Sequence, residues 1–128
     1  SALPYLKKSP AGRIINMAFL RSAFAANARA ASQKAEQDLA AISRALAAET
    51  GSFGVTANHV QPGAIMTPAS RAIFRKDKSL RDYCISASAA KRLGEPVDVA
   101  KVVLFLASDD AVFVSGTGVA VDGGRTDD

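Results

Sequence analysis

Cysteine and histidine are nearly missing from these 128 residues. Cys84 is the single cysteine, which excludes an intrachain disulfide and any cysteine-based zinc cluster. His59 is the single histidine, which removes most histidine-rich metal sites. Long hydrophobic runs are lacking as well. The longest aliphatic stretch, Val102 to Ala107, is far too short to span a bilayer. The start, Ser1-Ala2-Leu3-Pro4, has neither a charged n-region nor a long apolar stretch, so no signal peptide is expected and the expected address is cytoplasmic. A first residue other than Met implies an amino terminus that is not the translation start. No basic stripe interleaved with aromatics occurs. The net charge of +4 reads as scattered among acidic neighbours, as in Lys76-Asp77-Lys78 and Arg81-Asp82. Neither nucleic acid nor a membrane is an expected partner.

What is present, 48% hydrophobic and 22% charged residues, fits one soluble globular unit over residues 1–128 with no room for a second. Residues 1–8 read as the last turns of a helix, with Lys7 and Lys8 at the end where cations suit the dipole, and Ser9-Pro10-Ala11-Gly12 breaks it. Arg13 to Met17 reads as a buried parallel strand. A long Ala-rich helix is predicted from about Asn27, a plausible N-cap, to Thr50, with Ala31, Ala35, Leu39, Ile42, Leu46 and Glu49 on one face. Gly51 sits where a helix stop belongs. Val55 to Gln61 is a second strand, ending at Pro62-Gly63. Thr67 to Ala90 reads as a polar, loosely helical surface insertion or lid. A helix from about Val97 to Ala107 turns Val99, Val102, Val103 and Leu106 inward, and a third strand covers about Thr117 to Val121. The order βαβαβ predicts a parallel sheet with right-handed crossovers.

Several segments in order carry a family likeness. Gly12-Arg13-Ile14-Ile15-Asn16 resembles the fifth strand of the short-chain dehydrogenase/reductase family, and Arg44-Ala45-Leu46-Ala47-Ala48-Glu49 resembles the end of its next helix. Asn58-His59-Val60-Gln61-Pro62-Gly63-Ala64-Ile65-Met66-Thr67 resembles the family's N-x-V-x-P-G-x-I-x-T segment. Arg92-Leu93-Gly94-Glu95-Pro96-Val97-Asp98-Val99-Ala100 resembles its R-x-G-x-P-x-D-V-A segment. Leu104 to Asp109, and Gly116 through Asp122-Gly123-Gly124, complete a likeness that runs from residue 1 to Gly124 and is nearest the acyl-carrier-protein ketoreductase sort. The resemblance implies the carboxyl-terminal half of a Rossmann-like doubly wound α/β domain: three parallel strands with flanking helices. The Gly-rich turn that holds a cofactor pyrophosphate in the family's first half has no counterpart here, as neither G-x-x-x-G-x-G nor G-x-G-x-x-G occurs.

The family's chemistry uses a tyrosine as acid/base, a lysine four residues on that lowers its pKa and binds the nicotinamide ribose, and a serine that polarises the carbonyl. Ungapped alignment from Gly12-Arg13 to Arg44-Ala45-Leu46 puts Phe19 at the serine position, Ser32 at the tyrosine position and Glu36 at the lysine position. Lys34 is the nearest lysine, but a two-residue slip turns it ~200° around the helix. It would also leave Ala30, not a tyrosine, four residues earlier. Tyr5 and Tyr83, the only tyrosines, lie elsewhere. By resemblance, Pro62, Gly63, Ile65 and Thr67 would lie against the nicotinamide, with the Ile65 backbone and Thr67 hydroxyl reaching its carboxamide or phosphates. His59 is expected to be packed or hydrogen-bonded, and Cys84 inert.

Three functions remain open. The chain is a catalytically silent, structural or oligomerising subunit that pairs with itself or another chain and takes no cofactor alone. Alternatively it is half of an NAD(P)-dependent oxidoreductase that requires an amino-terminal half. In the last case Ser32, Glu36 and Thr67 form a non-redox small-molecule site.

Overall fold

The computed structural model describes residues 2–18 and 28–126, without the side chains of residues 28–33 and 35. Helix α1 (Leu3–Lys8) leads into strand β1 (Arg13–Met17), helix α2 (Ala28–Thr50) and strand β2 (Thr56–Pro62). Helices α3 (Pro68–Lys76), α4 (Lys78–Ser86) and α5 (Pro96–Ala107) follow, then strand β3 (Gly118–Val121). The strands form one parallel sheet in the order β1-β2-β3, with Ile15 opposite Asn58 and His59 opposite Gly118.

The central strand sets the architecture. Thr56 through Val60 are all buried, as expected of a strand enclosed on both faces by crossover helices. Neighbouring side chains point to opposite faces. Val60 therefore joins the core beneath α5, with Leu106, Ala111, Val99, Val102 and Val103. His59 points the other way, toward α2. The inward residues predicted for α5 are the ones found there. Asn58, also buried, donates through its amide to Val114 O at 2.9 Å and accepts from Thr117 N–H at 3.2 Å, tying β2 to the approach to β3.

Three expectations change. Arg13–Met17 is not a buried strand: its residues are half-buried, with Met17 exposed, because among the described residues β1 has a strand neighbour on one side only. The sheet-facing side of α2 is only part of the predicted apolar stripe, with Leu39 and Leu46 half-buried on it. Ile42 is 48% exposed and Glu49 is exposed, whereas Ser43 and Thr50 are fully buried. Hydrogen bonds permit this rotation: Ser43 Oγ lies 2.8 Å from His59 Nδ1, and Thr50 Oγ1 donates to Leu46 O at 2.7 Å. The α-helix does end at Thr50 with Gly51 just past it, as expected, and a 3-10 turn over Gly51–Phe53 then leads to Gly54. The supposed loose lid is two capped helices. Thr67 and Ser70 form a capping box for α3, with Pro68 in its first turn, and Asp77 caps α4 by accepting from Leu80 N–H at 2.9 Å. The predicted cap Asn27 lies outside the described residues.

His59 is held at both ring nitrogens. Gln61 Nε2 sits 3.1 Å from His59 Nε2, so the amide donates to that nitrogen and His59 Nδ1–H donates to Ser43 Oγ. Opposite the ring is Gly118, where a Cβ would collide with the imidazole. Gly118→Ala is expected to cost about 1–3 kcal/mol through overpacking, read from urea denaturation. Burial pushes the His59 imidazole below its ordinary value, so the folded protein keeps it neutral while the unfolded chain takes up a proton near pH ~6.5. Its contribution is complete above that pH and is lost as the pH falls toward the lower folded value. Denaturation midpoints measured down a pH series should drop faster in the parent than in His59→Gln.

Candidate functional site

The residues singled out by resemblance meet where β2 and β3 end. Pro62 closes β2, and Gly63 N–H donates to Val121 O at 2.9 Å. A Cβ on Gly63 would fall 2.8 Å from Asp122 Cα, so only glycine allows the two strand ends to approach this closely. The chain then pairs in parallel with the segment before α5. Gly94 N–H donates to Ala64 O at 2.9 Å, and Met66 N–H donates to Gly94 O at 2.8 Å.

In such a bridge the middle residue, Ile65, directs its own N–H and C=O away from its partner. The Ile65 carbonyl accepts from Ser70 Oγ at 2.6 Å, while its N–H has no acceptor among the described residues. Thr67 Oγ1 accepts from Ser70 N–H at 3.2 Å and lies 3.1 Å from Ser70 Oγ. One open N–H and a hydroxyl committed to a helix cap are what this turn presents.

Across from the turn, the chain leaving α4 is stitched to the chain leaving β3: Ala89 and Ala90 N–H donate to Gly124 and Gly123 carbonyls at 2.7 and 2.9 Å. Between these segments lies a groove of about 410 Å³ lined by Ile65, Arg92, Gly94, Asp98 and Asp122 among others. Arg92 Nη1 lies 3.0 Å from Asp98 Oδ2, which also accepts from Glu95 N–H at 2.7 Å. The Arg92 guanidinium first, and then the Glu95 amide, hold the Asp98 carboxyl below the ordinary carboxylate range. Among the described residues no group of three His, Cys, Asp or Glu side chains is arranged to hold a metal.

The Ser43–His59 contact fixes how α2 presents its remaining side chains. Positions 7 and 11 residues before Ser43, occupied by Glu36 and Ser32, return to the same sheet-facing side. Seven residues of helix advance ~10 Å. That is about three residues of strand, which brings Glu36 level with the end of β2. Glu36 is half-buried; the Ser32 side chain and all of Phe19 lie outside the described residues. Lys34 is half a turn away from this side, exposed, with its Nζ 3.3 Å from Asp38.

Pro62, Gly63, Ile65 and Thr67 lie together on this turn, and among the described residues no hydrogen bond or ion pair joins them to Glu36. Ser70 was missed, although Thr67-Pro68-Ala69-Ser70 has the hydroxyl spacing of a reciprocal cap.

Residues 1–126 match the family model described as enoyl-(acyl carrier protein) reductase. The chain is 38% identical over 115 residues to the (2S)-[(R)-hydroxy(phenyl)methyl]succinyl-CoA dehydrogenase subunit BbsD of Thauera aromatica, covering 90% of this chain and 45% of that protein. It is 32% identical to the 7alpha-hydroxysteroid dehydrogenase of Bacteroides fragilis, covering 97% and 47%. Among solved structures, ElxO with NADP bound superposes with a TM-score of 0.79 at 25% identity, over 95% of this chain and 49% of that one. The chain thus spans about half the length of the curated relatives it matches. No helix among the described residues is long and apolar enough to cross a membrane.

Since Thr67 anchors the turn through α3, Thr67→Ala is expected to lower stability by about 1 kcal/mol, and Thr67→Ser to keep most of it. Urea denaturation of the two variants against the parent checks the difference.

Proposed function

The chain belongs to the short-chain dehydrogenase/reductase family, and from that membership we propose that it is a half-domain with no redox chemistry of its own, serving as a structural, oligomerising subunit. The observation that carries this is the sheet-facing side of α2. At the level of the 62–67 turn it offers the carboxylate of Glu36, while the nearest lysine faces solvent beside Asp38. An ammonium there would favour an ionised phenol and bind a ribose; a carboxylate repels the charge that such a step develops. The aligned phenol position is Ser32, a far weaker proton donor near neutral pH.

The residues present do not fit the nicotinamide dinucleotide that the family implies. Ile65 N–H is open, but the Ile65 carbonyl and the Thr67 hydroxyl already serve the α3 cap. No cation stands on the facing side of α2 among residues whose side chains are described. The same commitment of Thr67 counts against a non-redox ligand site built from Ser32, Glu36 and Thr67.

One feature favours a second function, as half of an NAD(P)-dependent oxidoreductase completed by another segment. The outer edge of β1 has no strand beside it, and Arg13 Nε is buried without an acceptor among the described residues. A completing strand at that edge would cover exposed backbone groups and supply acceptors.

The two functions separate experimentally. The chain titrated with NADH and with NADPH should leave nicotinamide fluorescence unchanged. It should also oxidise neither cofactor in the presence of a β-ketoacyl thioester. Co-expression with the upstream reading frame should change nothing in the second assay; carbonyl reduction recovered there would overturn the silent-subunit function in favour of the completed enzyme.

A further inference from the structure

Most of the chain's net charge of +4 sits on one pair of helices. Helix α3 carries Arg71, Arg75 and Lys76 with no acidic residue, and α4 carries Lys78 and Arg81 against Asp82 alone. Asp77 lies between the two helices, its carboxylate accepting from Leu80 N–H at 2.9 Å to cap α4. Five cations and two carboxylates leave three of the four excess positive charges here. All five cations are exposed. Arg81 approaches Asp82 at 3.9 Å, and the other four make no ion pair among the described residues. In sequence Asp77 looks like a neutralising neighbour of Lys76 and Lys78; the fold commits it to the helix cap.

Two of these placements run against the helices' own electrostatics. Arg71 and Arg75 are four residues apart, so like charges stack on successive turns of α3. Lys78 is the first residue of α4, at the end of the helix dipole that repels a cation. Folding gains nothing from either, whereas an anion outside the chain makes both favourable.

Apolar side chains stand beside the cations. Ile73 is 40% exposed and Tyr83 is 52% exposed. Ser70 and Phe74 are the buried side of α3, and Ile73 lies at the margin of the outward side that holds Arg75 and Lys76. None of these residues borders the groove beside Arg92, so they project from the surface instead of lining a cleft. The caps on α3 and α4 hold both helices formed in the free chain, so this side is preorganised. A projecting basic side with apolar tips suits a bilayer surface, which spreads negative charge over a plane and takes apolar and aromatic side chains at headgroup level. A bound peptide needs a groove, and phosphates of a nucleic acid gain nothing from Ile73.

We propose that the outer side of α3 and α4, with Arg71, Arg75, Lys76, Lys78, Arg81, Ile73 and Tyr83, docks on the surface of an anionic phospholipid membrane. The helices lie on the headgroups, since nine residues are too few to span a bilayer. This goes beyond the structural function proposed above and holds whether or not the chain self-associates.

Co-sedimentation of the chain with vesicles tests it, once with pure phosphatidylcholine and once with about one phosphatidylserine in three lipids. The chain should pellet with the anionic vesicles, stay in solution with the neutral ones, and be released by added salt. Each cation near such a surface contributes about fivefold in affinity, so Arg71→Ala with Arg75→Ala should weaken binding ~30-fold. The same double variant should keep the parent's urea midpoint or raise it, because alanine removes the like-charge contact and favours the helix. Arg71→Lys with Arg75→Lys should bind as the parent does. No binding to either vesicle, equal binding to both, or anionic binding that the alanine pair leaves intact overturns the surface. A DNA duplex that strips the chain from the vesicles at equal phosphate concentration overturns the membrane in favour of nucleic acid.

Discussion

The enclosure of β2 between helices is the constraint on which the other arrangements depend. A strand covered on both faces has no water to satisfy a polar side chain, so every polar group on it must find a protein partner. Asn58 and His59 are adjacent on this strand and therefore face opposite ways. Asn58 reaches toward the segment that leads into β3, and His59 toward Ser43 on α2. Two side chains thereby tie the central strand to two of its neighbours, the approach to β3 and α2. The position of β3 and the rotation of α2 both follow from them.

That rotation explains where the sequence was legible and where it was not. Strand positions, the inward face of α5 and the parallel order follow from apolar periods and crossover lengths, and the fold contains them. The face of α2 was found only in part this way, through Leu39 and Leu46. Apolar spacing pointed to Ile42, yet the buried positions are Ser43 and Thr50, whose hydroxyls bond to His59, Leu46 and Val55. A periodicity argument gives burial to carbon atoms, whereas a hydroxyl with a partner in place costs little to bury. The partner of Ser43 lies sixteen residues away on another element, so no local window shows it.

The region between Thr67 and Ala90 failed for a different cause. Its charges crowd between Arg71 and Asp82, which reads as a solvated surface segment. Helices of nine residues have little intrinsic stability in water, and these two depend on caps. Thr67, Ser70 and Asp77 were visible as residues; the reciprocal bonds among the first pair were not read as a helix start. Of the candidate turn, Pro62 and Gly63 mark a strand end in any sequence, whereas Ile65 and Thr67 stand out only through the family resemblance. The engagement of Ile65 and Thr67 with Ser70 was not legible.

That engagement also limits what the surviving turn can say about chemistry. Every described hydrogen bond in it serves the fold: Gly63 joins the ends of β2 and β3, Ala64 and Met66 hold Gly94, and Ile65 and Thr67 hold α3. A turn with so many structural duties would persist in a chain that had lost its reaction, because changing it would unfasten three elements at once. Position 36 has no comparable duty. Glu36 is half-buried near the start of the described part of α2, with no hydrogen bond in the described structure, so its identity can change with little effect on packing. On the proposed alignment, which sets Glu36 where the family has an ammonium, position 36 bears more on activity than an intact Pro-Gly turn does, because the turn's residues are demanded by the fold and the charge is not.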